Sequence, residues 1–395
     1  MAPINLPISH LSEGLTIDTF YRLLTQFLLD PRLIFLLTFL HTRALDQSPL
    51  KLFQLVWQGR ADTLTNSLVG CLVLSLLLWF NESLSHASRN NWVLGGGSKA
   101  VKWGWDQEGE KVEVVIITGG SGSVGLEMVR GFGEMTKAKV VVLDVVEPKG
   151  GPFPNMTFYH CDLGSPEEIK KVCETVLKQV GQPSVLINNA GVVRSASILN
   201  STTRDVDLTY DINVKSHYYT VQAFLPGMIK KGKGHIVTIA SNTAYIQAAK
   251  GVSYAASKSS TLSFHEGLTE ELRHLYEPSA RSIRTSAILP GHIQGPMFDG
   301  FDAGMPSWLM PSLQPSTVAR LVVRCVISGE SQPVTGARLT ETLKHVGVQF
   351  IIEPLYAKTL PLVRALPTWL GDVLYGLAKN SLAQVQLDQG GKKVQ

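Results

Sequence analysis

Tyr254 and Lys258 stand four apart in the run "YAASK", a spacing that puts both side chains on one face of a helix. A phenol with a pKa of about 10 is a poor base near neutrality. An ammonium on the same face favours the phenolate and lowers that pKa. The tyrosine can then exchange a proton with an alcohol or carbonyl oxygen. Ser241 lies 13 residues earlier, at the end of an apolar run, where its hydroxyl can hydrogen-bond the same oxygen. Taken alone, Tyr-x-x-x-Lys is a weak signal and takes its value from its surroundings.

A second group lies upstream. "TGGSGSVG", residues 118–125, follows the apolar run "VEVVIITGG". Glycines after a first strand permit a sharp turn and close approach of backbone to a pyrophosphate, with the next helix aiming its N-terminus at the anion. Gly119, Gly122 and Gly125 suit that geometry. Asp144 follows Gly125 by 19 residues and ends a second apolar run. A carboxylate there accepts hydrogen bonds from ribose hydroxyls and repels a 2′-phosphate, which favours NAD and leaves NADP open.

Chemistry of this kind needs strands that end where these residues stand. Strand patterns occur in "KVEVVIIT", "AKVVVLDVV", "MTFYHCDL", "PSVLINNA", "GHIVTIAS" and "IRTSAILPG". Helical patterns separate them over 122–134, 165–180, 205–230 and 252–276. Continuous apolar strands alternating with helices predict an α/β fold with a parallel sheet covered on both faces. The sequence divides into an N-terminal region and linker over 1–110, a catalytic domain over 111–345 and an apolar extension over 346–395.

Residues 63–81, "TLTNSLVGCLVLSLLLWFN", carry no charge. As a helix they span about 28 Å, close to a hydrocarbon core, and they end in Trp79 and Phe80. "FLLDPRLIFLLTFL" is interrupted by Asp30, Pro31 and Arg32, which favours a hairpin, re-entrant or interfacial segment. Membrane contact is therefore expected for this region, although two buried core helices would show the same pattern. Arg and Lys flank the long run on both sides and leave its orientation open. The tail, punctuated by Pro354, Pro361 and Pro367, reads as a cleft cap or a membrane-surface segment.

Only 17% of the 395 residues are charged and the net charge is +4, with no basic block, so nucleic acid is not an expected partner. Cys71, Cys161, Cys173 and Cys325 form no CxxC pair and suit reduced, buried thiols. No cluster has metal-ligand spacing. His265 reads as structural or surface, and His292 as a cleft residue.

Taken together, "TGGSGSVG", Asp144, "CDL", "NNAG", Asn213 in "DINV", Ser241, "YAASK" and "PGHIQG" resemble the short-chain dehydrogenase/reductase (SDR) family over roughly 111–300. The resemblance implies a Rossmann-like, doubly wound parallel sheet and hydride transfer to or from a nicotinamide. By the same resemblance, Tyr254 is the acid/base, Lys258 lowers its pKa and holds the nicotinamide ribose, Ser241 orients substrate and Asn213 anchors a relay water. The cofactor would meet the turn residues Gly119, Ser121, Gly122, Ser123, Val124 and Gly125. Asp162 and Leu163 would flank adenine, Asn189, Ala190 and Gly191 would line the cofactor, and Ile293 would lie near the nicotinamide.

Two positions depart from the family pattern. Ser123 replaces a turn glycine, which is tolerable at negative φ and strained at positive φ. Gly295 stands where the family often has a threonine that touches the nicotinamide carboxamide. Met297, Phe298, Phe301, Met305, Trp308, Leu309 and Met310 form an apolar, Met-rich stretch that suits a lipophilic substrate or ordinary core packing.

The layout resembles the membrane-bound and lipid-droplet-associated SDR branch that includes retinol dehydrogenases and 17β-hydroxysteroid dehydrogenase-like enzymes. It implies a retinoid, steroid or long-chain lipid substrate, a place at the endoplasmic reticulum or lipid droplet, and room for a homodimer through 205–230 and 252–276. The alternatives are a carbonyl reductase on a biosynthetic intermediate and a weakly catalytic membrane scaffold.

Overall fold

The computed structural model describes residues 30–46, 48–89, 103–107, 112–151, 153, 155–247, 249–300 and 312–329. The stretch holding Phe301, Met305, Trp308, Leu309 and Met310, and the tail from 346, lie outside the described residues.

All six expected strands form. They are β1 (Val114–Thr118), β2 (Lys139–Asp144), β3 (Met156–His160), β4 (Val185–Asn188), β5 (Gly234–Ile239) and β6 (Ile283–Ile288). They pair in parallel in the order β3-β2-β1-β4-β5-β6. Alternate residues point to opposite faces of a strand. Val115, Ile117, Val140 and Val142 enter one core, and Val114, Ile116, Val141 and Leu143 enter the other. Both faces are thus buried, which is why the strands read as unbroken apolar runs. Chain direction across the sheet reverses between β1 and β4. Open parallel sheets hold ligands at such a point, beyond the carboxyl ends of their strands.

The first core is closed by α4 (Ser123–Met135) and α9 (Pro315–Ser328), through residues such as Met128, Phe132, Val318, Val322 and Val326. The second is closed by α5 (Pro166–Gln179), α7 (Ser216–Lys231) and α8 (Val252–His274), through Ile169, Val176, Phe224, Met228 and Leu268. The sequence pattern did not indicate α9. It begins with Pro315 at its N-terminus and ends at Gly329 with φ +66°.

The helix expected over 205–230 is interrupted. α6 (Thr203–Tyr210) starts with a capping box of Thr202 and Asp205, and a π-helical turn at Asp211–Lys215 joins it to α7. The extra residue of a π turn is a recurrent feature of functional sites. Here it carries Asn213, which is fully buried.

Upstream, α1 (Pro31–Ala44), α2 (Pro49–Trp57) and α3 (Thr63–Arg89) form a helical group. Asp30 and Pro31 begin a helix; the residues before them lie outside the described residues. The Asp30 carboxylate accepts from the Arg32 and Leu33 N–H groups, and Pro31 fills the first turn, where no N–H partner is needed. The buried stripes of α1 and α3 include Thr38, Thr42, Thr65 and Ser75, while Phe35, Leu36, Leu40, Leu74, Leu77 and Phe80 face outward.

A short stretch before β1 is packed against the catalytic unit. Trp103 and Trp105 stack with centroids 5.1 Å apart, and Trp105 Nε1 donates to the Ile327 carbonyl at 3.1 Å. Lys233 Nζ pairs with Glu113 and lies 5.0 Å from the Trp103 ring centroid. The packed unit therefore extends upstream of residue 111.

Candidate active site

The glycine turn follows β1 and leads into α4. Gly119 has φ +63°, and a Cβ there would lie 2.8 Å from Ala190 Cα. At Gly125 a Cβ would come within 2.2 Å of the Gly119 carbonyl oxygen. These two positions require glycine. Gly122 is the residue before the helix, with φ −72°, and has more room. Ser123 is the first residue of α4, outside the positive-φ region, so the strain that a serine could have caused there does not arise.

Asn189 and Ala190 brace this turn from the end of β4. Both backbone N–H groups donate to Thr118 Oγ1, at 3.0 and 3.1 Å, and Asn189 Nδ2 donates to the Thr118 and Gly119 carbonyls at 3.0 Å each. Thr118 was not singled out from sequence, although it opens the quoted motif. Asp144 Oδ2 accepts the Ser121 N–H at 3.0 Å, and its Oδ1 accepts the Val145 N–H at 2.7 Å. The Ser121 hydroxyl is turned to the Val146 carbonyl. Val124 is half-buried and packs on the first core, as does Ile293 from the turn after β6. Leu163 is in the second core. Asp162 accepts the Gly164 N–H at 2.8 Å.

Tyr254, Lys258, Ser241 and Asn213 are brought together at the carboxyl ends of β4 and β5, all buried. The Ser241 side chain faces the Tyr254 phenol and favours its ionised form, while the Ser241 hydroxyl donates to Asn242 Oδ1 at 3.3 Å and accepts the Thr243 N–H at 3.2 Å. Lys258 Nζ donates to the Ile239 carbonyl at 3.0 Å. A Cβ on Gly191 would lie 3.3 Å from that Nζ and 3.5 Å from Asn213 Oδ1, so glycine is what lets the three groups approach. The Asn213 carboxamide accepts from Val192 N at 2.8 Å and donates to Val192 O and Ser257 Oγ, at 3.0 Å each. The Thr261 hydroxyl donates to the Asn213 carbonyl at 2.8 Å. Tyr254, Ser257, Lys258 and Thr261 share one face of α8, a periodicity from which Ser257 and Thr261 could have been found.

Burial pushes the Tyr254 phenol up to about 12, and the Ser241 side chain is the influence that opposes it. Lys258 Nζ lies 5.8 Å from the Tyr254 ring centroid and is turned to Ile239. Burial also brings Lys258 down to about 8.

Phe298 packs edge-on to both Tyr254 and His292, with centroids at 6.0 and 5.8 Å. His292 is half-buried and hydrogen-bonds Ser312 through Nδ1 at 2.8 Å. His265 is buried and hydrogen-bonds Thr238 at 3.0 Å, a structural position. The four cysteines are free thiols, with Cys161, Cys173 and Cys325 buried.

A turn with two obligatory glycines, an acid at the end of β2 and a buried Ser-Tyr-Lys-Asn set beyond the sheet define a recognisable combination. The family model for short chain dehydrogenases matches residues 113–305. Dehydrogenase RED2 of Cochliobolus heterostrophus is 35% identical over 227 residues, covering 57% of this chain and 81% of the relative. The chain belongs to the short-chain dehydrogenase family. As an SDR it is an oxidoreductase that interconverts alcohol and carbonyl groups with a nicotinamide dinucleotide.

Its likeness within the SDR family runs to the retinol and 17β-hydroxysteroid dehydrogenase branch. Estradiol 17-beta-dehydrogenase 11 of Macaca fascicularis is 29% identical over 225 residues, 55% of this chain and 72% of that protein. Human epidermal retinol dehydrogenase 2 is 30% identical over 226 residues, 54% of this chain and 71% of that one. The site suits the SDR cofactor on its own terms. The glycine turn folds back on itself and on Ala190 as tightly as it does because Gly119 and Gly125 carry no Cβ, and the first turn of α4, with its unpaired N–H groups, follows directly.

Proposed function

We propose that this SDR enzyme interconverts a lipophilic alcohol of retinoid, steroid or long-chain type and its carbonyl at a membrane surface, with Tyr254 as the proton donor and acceptor. The buried cluster of Tyr254, Ser241, Lys258 and Asn213 beyond the carboxyl ends of β4 and β5 carries this reading. It supports a site where one reacting oxygen meets the hydroxyls of Tyr254 and Ser241. A nicotinamide held in the cleft supplies the hydride acceptor or donor. Gly119, Gly122, Ser123, Val124 and Gly125 line the turn that would hold its diphosphate, and Asn189, Ala190, Gly191 and Ile293 border the same cleft. Asp162 and Leu163 stand after β3, on the adenine side.

Each buried group has a defined task. Tyr254 gives a proton to a carbonyl oxygen in reduction and takes one from an alcohol in oxidation. Ser241 holds that oxygen in line. Lys258, anchored on Ile239, supports charge next to the phenol and faces Gly191, beside the cofactor. Asn213 fixes the loop at Val192 and ties it to α8 through Ser257. The Asp144 carboxylate supports NAD as the preferred dinucleotide.

The apolar edge of Phe298 over Tyr254 and the exposed Met297 support a lipophilic substrate. The N-terminal helices support the membrane. Among the described residues one helix is long and apolar enough to cross it, over Thr63–Asn81 with mean hydropathy 1.8 and only 24% of that window buried. The buried stripe mixes hydroxyls (Thr38, Thr42, Thr65, Ser75) with Ile34, Val69 and Leu72, while many large apolar groups face outward, an arrangement that suits helices packed in lipid.

The test is titration with NADH and NADPH, followed by turnover of retinoid, steroid and long-chain alcohols and ketones by wild type and Tyr254→Phe. We expect Tyr254→Phe to bind dinucleotide normally and lose at least about 100-fold in kcat. Equal turnover by the two proteins would sink the tyrosine mechanism.

A further inference from the structure

Ser123 and Gly295 belong to different turns, one after β1 and one after β6, and they meet. A Cβ built on Gly295 would lie 3.0 Å from Ser123 Oγ and 3.7 Å from Ser123 Cβ. Gly295 also has φ +152°, a backbone that residues with a Cβ rarely adopt. Ser123 is exposed and sits in ordinary helical backbone at the head of α4. Its hydroxyl makes no hydrogen bond to another described residue. A side chain at 295 and a hydroxyl at 123 therefore compete for one space, and this chain gives that space to the hydroxyl.

We propose that Ser123 and Gly295 act as one coupled positioning unit, with the Ser123 hydroxyl donating to the diphosphate of the bound dinucleotide and Gly295 leaving the room that it needs. The proposal rests on the cofactor reading above. The chemistry of the position selects the diphosphate. Unpaired N–H groups and the positive end of the helix dipole gather at the first turn of α4, where an anion is stabilised. An added O–H donor at that end meets anionic oxygens, and hydrogen bonds to charged partners are stronger than neutral ones.

The experiment is calorimetric titration of the full chain with NADH, ADP-ribose and AMP, for wild type, Ser123→Ala, Gly295→Ala and a Ser123→Gly/Gly295→Ala pair measured against Ser123→Gly. ADP-ribose keeps the diphosphate and lacks the nicotinamide, while AMP lacks both. We expect Ser123→Ala to weaken NADH and ADP-ribose alike, by about tenfold, and to leave AMP unchanged. Gly295→Ala should cost more with Ser123 present than with glycine at 123. Thermal unfolding of each variant separates loss of fold from loss of binding.

Unchanged ADP-ribose affinity in a folded Ser123→Ala protein overturns the proposal, as does a loss confined to NADH, which would move the contact to the nicotinamide. An equal cost of Gly295→Ala in both backgrounds overturns the coupling. A wild type that binds neither NADH nor NADPH would instead overturn the functional reading beneath it.

Discussion

Lys258 Nζ donates to the Ile239 carbonyl at 3.0 Å, and this one bond ties the helix that carries Tyr254 to the strand that leads to Ser241. The lysine is thus a structural strut as well as a charge. Burial brings it down to about 8, so its ammonium is lost as pH rises through that value.

For carbonyl reduction, kcat/KM should accordingly fall above pH about 8. In Lys258→Arg, whose guanidinium stays charged, the residual rate should keep its level to higher pH. A falling limb at the same pH in both proteins would remove Lys258 as its source.

Asp144 accepts the Ser121 and Val145 N–H groups at the end of β2. Asp144→Ala should weaken NADH by about tenfold and NADPH by much less, because it removes an acceptor for ribose and a repulsion toward 2′-phosphate together. Parallel titrations with the two dinucleotides measure the ratio. An unchanged ratio would count against the NAD assignment.

Three histidines are buried in the fold: His217, His235 and His265. Burial is the largest cause for each, holding His217 and His235 down to about 3 and His265 down to about 4. Their folded values lie below the unfolded value of about 6.5, so the unfolded chain binds more protons in between. Stability should be complete above pH about 6.5 and decline as pH falls toward 4. Urea midpoints at pH 7 and pH 5 test this. His265→Asn should show a smaller drop than wild type between those two pH values.

Removing residues 1–90 should leave dinucleotide binding intact and release the protein from membranes. Flotation with vesicles reads the release. A truncated chain that still floats entirely would refute the assignment of the anchor to α1–α3.

The sheet was legible because both its faces are covered: buried strands such as "VVIIT" and "VVVLD" cannot hide their composition. The chemistry was legible where a type and a spacing coincide, as at Tyr254 and Lys258. The break at Asp211–Lys215 was not, because a π turn inserts one residue without changing the apolar count of the helix. Asp30-Pro31 reads as a breaker or as a helix start, and only the Asp30 cap on Arg32 and Leu33 decides between them. Spacing gives the distance from Tyr254 to Lys258 along the helix but says nothing of the Ile239 carbonyl that accepts from the Lys258 ammonium.

The paired tryptophans have a mechanical consequence. Trp103 and Trp105 are fastened near Glu113, Lys233 and Ile327, at the starts of β1 and β5 and the end of α9. Ser241 lies at the other end of β5, about 20 Å away along six residues. Tension arriving through the chain that precedes Trp103 enters the body at this far edge and is spread through the sheet. Force applied there would be borne by the sheet before it reached Ser241 and Tyr254.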